Sequence, residues 1–315
     1  MKRAISLSSV ILVLFLLMGC SNTGKQNPTA QNTNPETEKK AILIVSFGTT
    51  YEDTRKLTIE AVENRAKEEF KGWDVRRAFS SHTIIKVLKE RDGIEVDTPE
   101  QALQKLKNDG YTTVVVQMLN IIPGVEYDYI KKVVDQYKND NSFKKISCGL
   151  PLLYYMGQEN EPNDFITALE ALKTQLPSSM KNDEALLVLA HGTPHPANAY
   201  YTVLQHTINE LGFKNTYVYT VEGTPTLEEV IPQLKANNIK KITLIPFMLV
   251  AGDHANNDMA GEEKDSHTSQ LKAEGFAVDS YLHGLGENKE IQNIYMNRIK
   301  QAMNELNSKP AGEEK

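Results

Sequence analysis

The stretch KKITLIPFMLVAGDHANNDMAG, residues 240–261, decides the fold. Its apolar run from Ile242 to Val250 is of the kind that a parallel strand covered on both faces requires. The run stops at Ala251-Gly252-Asp253-His254, a glycine turn that delivers a histidine at the end of the strand. A histidine placed there can be a metal ligand, a catalytic base or an incidental loop residue.

Working outward, the chain repeats one plan. KKAILIVSFGTTYEDT (39–54) has an apolar strand over Ala41–Val45, the turn Ser46-Phe47-Gly48-Thr49-Thr50, and a helical pattern from 53 to about 70. EALLVLAHGTPHPANAYYTVLQHTINEL (184–211) has a strand over Leu186–Ala190, then His191-Gly192-Thr193-Pro194, then a helix. Residues 73–90 match 216–234 as strand, small-residue turn and helix. Residues 111–130 match 240–259, with Gly124 opposite Gly252 and Glu126 opposite His254. KKISCGLPLL and FAVDSYLHGL supply a fourth strand to each half. Strands alternating with helices predict an α/β protein of two similar doubly wound domains with parallel sheets. The expected boundaries are 41–158 and 184–285. Residues 159–183 hold a connecting helix and linker, and 286–315 a terminal helix and tail.

Ligands of open α/β sheets sit beyond the carboxyl ends of the strands. His191, Glu222 and His254 follow three successive strands of the second half, so they can meet in one cleft. Two imidazoles and a carboxylate suit a divalent first-row metal and leave positions open around it. Each residue also has a purely structural reading as a polar group at a strand end.

The amino terminus is of another kind. Met1-Lys2-Arg3, an apolar stretch and Leu17-Met18-Gly19-Cys20 have the layout of a secretory signal over 1–20, with the lipobox-like end of a lipoprotein. Residues 21–40, rich in Asn, Thr, Gln and Pro, read as a flexible tether. The expectation is an exported protein held to a membrane by lipid on Cys20. That leaves Cys148 alone, which excludes an internal disulfide and a cysteine metal cluster. With 35 basic and 41 acidic side chains, a net charge of −6 and no strong basic run, nucleic acid is not an expected partner.

The segments SFGTTYEDTR, HGTPHPANAYYTVLQ, TVEGTPTLEEVI, PFMLVAGDHANNDMAG and YLHGLGEN resemble the anaerobic cobaltochelatases, which insert Co²⁺ into sirohydrochlorin. The similarity runs from residue 41 to about 305. It implies two α/β domains with a tetrapyrrole cleft, as in the class II chelatases. By motif, His191, Glu222 and His254 match the family's metal-binding residues, and His191 also its proton acceptor. Co²⁺ is the implied metal substrate, although Ni²⁺, Fe²⁺ and Zn²⁺ accept the same ligands.

Around that set, Ser46, Gly48, Thr49, Gly192 and Thr193 are candidate contacts to a carboxylate of the macrocycle through their turn amides. Glu126 is a candidate carboxylate on the opposite face of the ring. Phe47, Phe79, Met118, Leu119, Ile121, Ile122, Met248 and Leu249 are candidate cleft walls, and Arg55, Arg76, Arg77 and Lys86 candidate cations at its mouth. His195 and His82 rank behind them, His206 reads as helical, and His267 and His283 as loop residues without a partner. The resemblance implies a step of cobalamin synthesis, which is cytoplasmic, so the leader supports an alternative: a surface lipoprotein that binds haem or another tetrapyrrole for uptake or metal removal.

Overall fold

The computed structural model describes residues 38–176 and 180–307. The expected signal, Cys20, nearly all of the expected tether and the carboxyl-terminal tail lie outside the described residues. From Glu38 onward the described residues form one compact unit.

The first half runs β1 (Lys40–Ser46), α1 (Glu52–Leu57), α2 (Ile59–Glu69), β2 (Asp74–Phe79), α3 (His82–Val87), α4 (Pro99–Asn108), β3 (Thr113–Met118), α5 (Val125–Asn139) and β4 (Lys145–Cys148). Helix α6 (Asp164–Lys173) leads to the second half. That half runs β5 (Glu184–Ala190), α7 (Ala199–Glu210), β6 (Thr216–Thr220), α8 (Leu227–Ala236), β7 (Lys241–Pro246), α9 (His267–Ala273), β8 (Ala277–Ser280) and α10 (Lys289–Glu305). The strands make two four-stranded sheets, ordered β2-β1-β3-β4 and β6-β5-β7-β8, with every pairing parallel. The continuous apolar strands take the central places: β3 is buried along its whole length, and β1 and β5 at all but the first residue. The polar strands β2 and β8 take the edges, where one flank meets water.

The helix expected from 53 to about 70 is two helices. Thr58 breaks it with φ −116° and ψ −79°, and its hydroxyl donates back to the Thr54 carbonyl. A Cβ on Gly286 would stand 2.7 Å from the Thr58 Cβ, so the break seats a segment of the second half.

One apolar core is common to both halves. Ile42, Ile44 and Val115 of the first sheet and Leu186, Val188 and Ile245 of the second belong to it, with side chains of α6, α7 and α10. Separate outer cores cover the far face of each sheet. Helix α10 leaves the second half and returns to the first. The Tyr295 hydroxyl donates to the Leu119 and Asn120 carbonyls, and Ser147 donates to the Ala302 carbonyl at 2.7 Å. Arg298, 2% exposed, donates to the Pro151 carbonyl and pairs with Asp164, whose carboxylate also accepts from the Tyr154 and Tyr155 amides. A lone charge at such a site is far costlier than the pair is favourable. Asp164→Ala is therefore expected to lower stability by about 3–5 kcal/mol, read as a shifted urea midpoint.

His267 is not a partnerless loop residue. It opens α9, and its Nδ1 lies 3.2 Å from the Tyr219 hydroxyl. Burial holds its pKa below the usual imidazole value, against the opposing charges of Asp258 and Glu228. A depressed native pKa means that the unfolded chain binds the proton more readily. The stabilisation is complete above the unfolded value of about 6.5 and is lost as pH falls toward the native pKa. Thermal melts between pH 7.5 and 5 are expected to show a shallower acid-side loss for His267→Gln than for the wild type.

Candidate functional site

In each sheet the order in which strands are laid down reverses between the two central strands: between β1 and β3, and between β5 and β7. The crevice of a doubly wound sheet forms at such a switch point. His191 follows β5 and His254 follows the loop after β7, so the second switch point is flanked by histidines. Their rings meet edge to face, with centroids 4.7 Å apart and planes at 87°.

Each ring is anchored through one nitrogen. His191 Nδ1 lies 3.0 Å from the Gly192 carbonyl, and His254 Nδ1 lies 2.6 Å from the Asp258 carboxylate. Both partners accept, so each Nδ1 donates, and in the neutral ring Nε2 is the nitrogen left with a lone pair. The arrangement offers two neighbouring nitrogen donors, the state in which imidazole binds a metal or takes up a proton.

The turn that presents His191 is fixed by backbone packing. The Glu222 amide donates to the His191 carbonyl at 2.8 Å. Gly192 has φ +83°, and a Cβ there would stand 2.2 Å from the Glu222 carbonyl oxygen. Asn198 ties the two turns together, accepting from the Thr193 amide and donating to the Thr224 carbonyl. The Glu222 backbone thus abuts the His191 turn while its side chain is exposed. Among the described residues, no three His, Cys, Asp or Glu side chains are grouped closely enough to hold a metal. The structure joins His191 with His254 and leaves the Glu222 carboxylate outside that pair.

The first half repeats the backbone and changes the chemistry. The Ser81 amide bonds the Phe47 carbonyl as Glu222 bonds His191, and the Leu119 amide bonds the Val45 carbonyl as Phe247 bonds Leu189. By this register Phe47 stands where His191 does, Ser81 where Glu222 does, and Glu126 where His254 does. Phe47 is 51% exposed, an apolar ring at the station where the other half offers a lone pair. The two ends also touch reciprocally. A Cβ on Gly252 would lie 3.4 Å from Thr49 Oγ1, and one on Gly124 would lie 3.8 Å from Thr193 Oγ1. Tyr51 donates to Asp253 in one direction, and His195 Nε2 lies 3.3 Å from Asp128 in the other. Glu126 lies within electrostatic reach of Tyr201. Burial pushes that phenol's pKa up, the Gly192 amide pulls it down, and the Glu126 charge raises it again.

Other candidates fall elsewhere. Ser46 is buried, and the Thr193 amide is already taken by Asn198. Gly48, at φ +97°, lies against the Phe79 ring. Phe79, Met118 and Leu119 are core, whereas Ile121 is half-buried and Ile122, Met248 and Leu249 nearly buried. Arg76 and Arg77 sit mid-strand opposite Leu43 and Ile44, not at the mouth, and Arg77 pairs with Glu63 and Glu60. Arg55 is buried on Glu60, and Lys86 pairs with Glu90 along its helix. His283 has a partner in Glu287 and His206 in Glu210.

The sequence model described as "Cobalt chelatase (CbiK)" matches residues 40–304. The sirohydrochlorin cobaltochelatase of Salmonella typhimurium is 39% identical over 266 residues, which are 84% of this chain and 97% of that one. The chain belongs to the cobalt chelatase family. A second member, sirohydrochlorin cobaltochelatase CbiKC of Nitratidesulfovibrio vulgaris, is 32% identical over 268 residues, 85% of this chain and 92% of its own. Among solved structures, SirB from Bacillus subtilis with Fe³⁺ has the same fold. It gives a TM-score of 0.58 at 17% identity, covering 86% of this chain and 98% of its own. A multi-domain protein of Deinococcus radiodurans gives 0.53 at 13% identity, covering 84% and 55%.

Within this cobalt chelatase, the residues that sequence reasoning passed over are Asn198, Tyr51, Asp128 and Asp258. Only Asp258 left a signal, its spacing of four from His254. The close packing at Gly192 makes a paired test. Gly275, at φ +93°, has nothing within 4 Å of an added Cβ. Gly275→Ala is expected to cost about 1 kcal/mol of backbone strain alone. Gly192→Ala is expected to cost clearly more in the same urea titration and to abolish turnover, because the Glu222 turn must move.

Proposed function

We propose that this enzyme inserts Co²⁺ into sirohydrochlorin at the junction between its two halves. The reaction is the one for which its relatives are named. The observation that carries the reading is the pair of neighbouring imidazoles at the switch point, each with Nε2 free and Nδ1 tethered.

The chemistry follows from those atoms. The metal is a substrate and must be held by few enough bonds to be given up. Two nitrogen donors, with the exposed Glu222 carboxylate able to swing in, hold a hydrated divalent ion without the grip of thiolates. The macrocycle must lose two pyrrole protons as the ion enters. Neutral imidazole, with an ordinary pKa near ~6.5, accepts a proton at neutral pH. In this reading His191 Nε2 first holds the ion and, once the ion has passed to the ring and freed that lone pair, takes one pyrrole proton, while the other leaves to bulk water. Phe47 offers an apolar face to the ring, and Glu126 a carboxylate from the other half. Ni²⁺, Fe²⁺ and Zn²⁺ are competing ions that the donor set alone does not reject.

The leader supports placing this chemistry outside the cytoplasm, on a protein anchored through lipid at Cys20. Cys20→Ala is expected to release the protein from the membrane fraction, and retention there would refute the anchor. His191→Ala is expected to lower kcat/KM for Co²⁺ insertion by about 100-fold or more while leaving the melting temperature unchanged, as loss of a general base does. Near-normal turnover of that variant would overturn the assignment. Turnover with haem in place of sirohydrochlorin would favour tetrapyrrole acquisition instead.

A further inference from the structure

We infer that Asp258 is a positioning residue that aims the metal-binding nitrogen of His254 and strengthens it as a donor. The inference rests on the reading of His254 as a metal ligand. His254 and Asp258 lie on one π-helical turn, His254–Met259, a rare conformation that often marks a functional site. The other polar side chains of this turn hold the turn itself. Asn256 donates to the Ala251 and Gly252 carbonyls, and Asn257 donates to Asp253. The turn closes against Gly261, where a Cβ would stand 2.3 Å from the Asn257 carbonyl oxygen. Asp258 alone reaches the imidazole, at 2.6 Å from Nδ1.

The two histidines are therefore tethered by different groups. His191 leans on a neutral backbone carbonyl, and His254 on a carboxylate. A carboxylate behind Nδ1–H fixes the tautomer and ring orientation. It also pushes electron density toward Nε2 more strongly than a carbonyl does. The pair is thus unequal, with His254 the stronger donor. Asp258 is half exposed, so removing its carboxylate opens no core cavity.

The test reads Co²⁺ binding to the full-length protein by its visible absorption, without tetrapyrrole, alongside insertion kinetics. Asp258→Ala is expected to weaken Co²⁺ binding about 10- to 100-fold, the usual effect of losing such a partner. It should raise KM for Co²⁺ while KM for sirohydrochlorin and the melting temperature stay as in the wild type. Asp258→Asn, which keeps an acceptor and loses the charge, is expected to fall between. In a His254→Ala background the substitution should have no further effect. Asp258→Ala affinity within roughly twofold of the wild type, or an equal loss in the His254→Ala background, would overturn the inference. A wild type that binds Co²⁺ but inserts none would refute the proposed reaction and leave this comparison intact.

Discussion

A buried guanidinium fixes how the two sheets sit together. Arg298 is carried by the last described helix yet makes its bonds to the Pro151 carbonyl and to Asp164, which belong to the end of the first half and the start of the connecting helix. A charge taken out of water must find its partner or the fold loses several kcal/mol, so few placements of α10 are tolerated. Placing α10 also places Tyr295 under the carbonyls that follow β3 and completes the common core. The strand ends can then meet closely enough for Thr49 to reach Gly252 and Thr193 to reach Gly124.

The repeat preserves backbone and lets side chains diverge. The same amide-to-carbonyl bonds fasten the turns of both halves, because the parallel sheet and its switch point require them. Nothing in that scaffold dictates what the turns carry. At matched stations one half has His191 and His254, the other Phe47 and Glu126.

The strands, their parallel character and the turn glycines were legible because each follows from a short local rule. An apolar run over Ala41–Val45 or Leu186–Ala190 has few homes besides the middle of a parallel sheet. His191 and His254 were legible as strand-end histidines, and their meeting follows from topology. What escaped depends on contacts distant in sequence. The break at Thr58 answers Gly286, more than two hundred residues away, and no local propensity marks it. Arg76 and Arg77 looked free because charges on an edge strand resemble charges at a mouth, but Glu60 and Glu63 had already claimed Arg77. His267 looked like a loop residue because its partner, Tyr219, lies on β6. The exposed placement of the Glu222 side chain was equally hidden, since strand order fixes where a backbone ends and not where its side chain points.

The mismatch between Phe47 and His191 has a stereochemical consequence. Sirohydrochlorin is chiral, so its two faces are not interchangeable. A cleft with the same groups on both walls would be indifferent to which face met which wall. In this chain the paired imidazoles belong to one half alone, and at the matched stations its counterpart carries the Phe47 ring and the Glu126 carboxylate. A macrocycle lodged there would be metallated from one prescribed face, and the duplicated scaffold would act as a handed one.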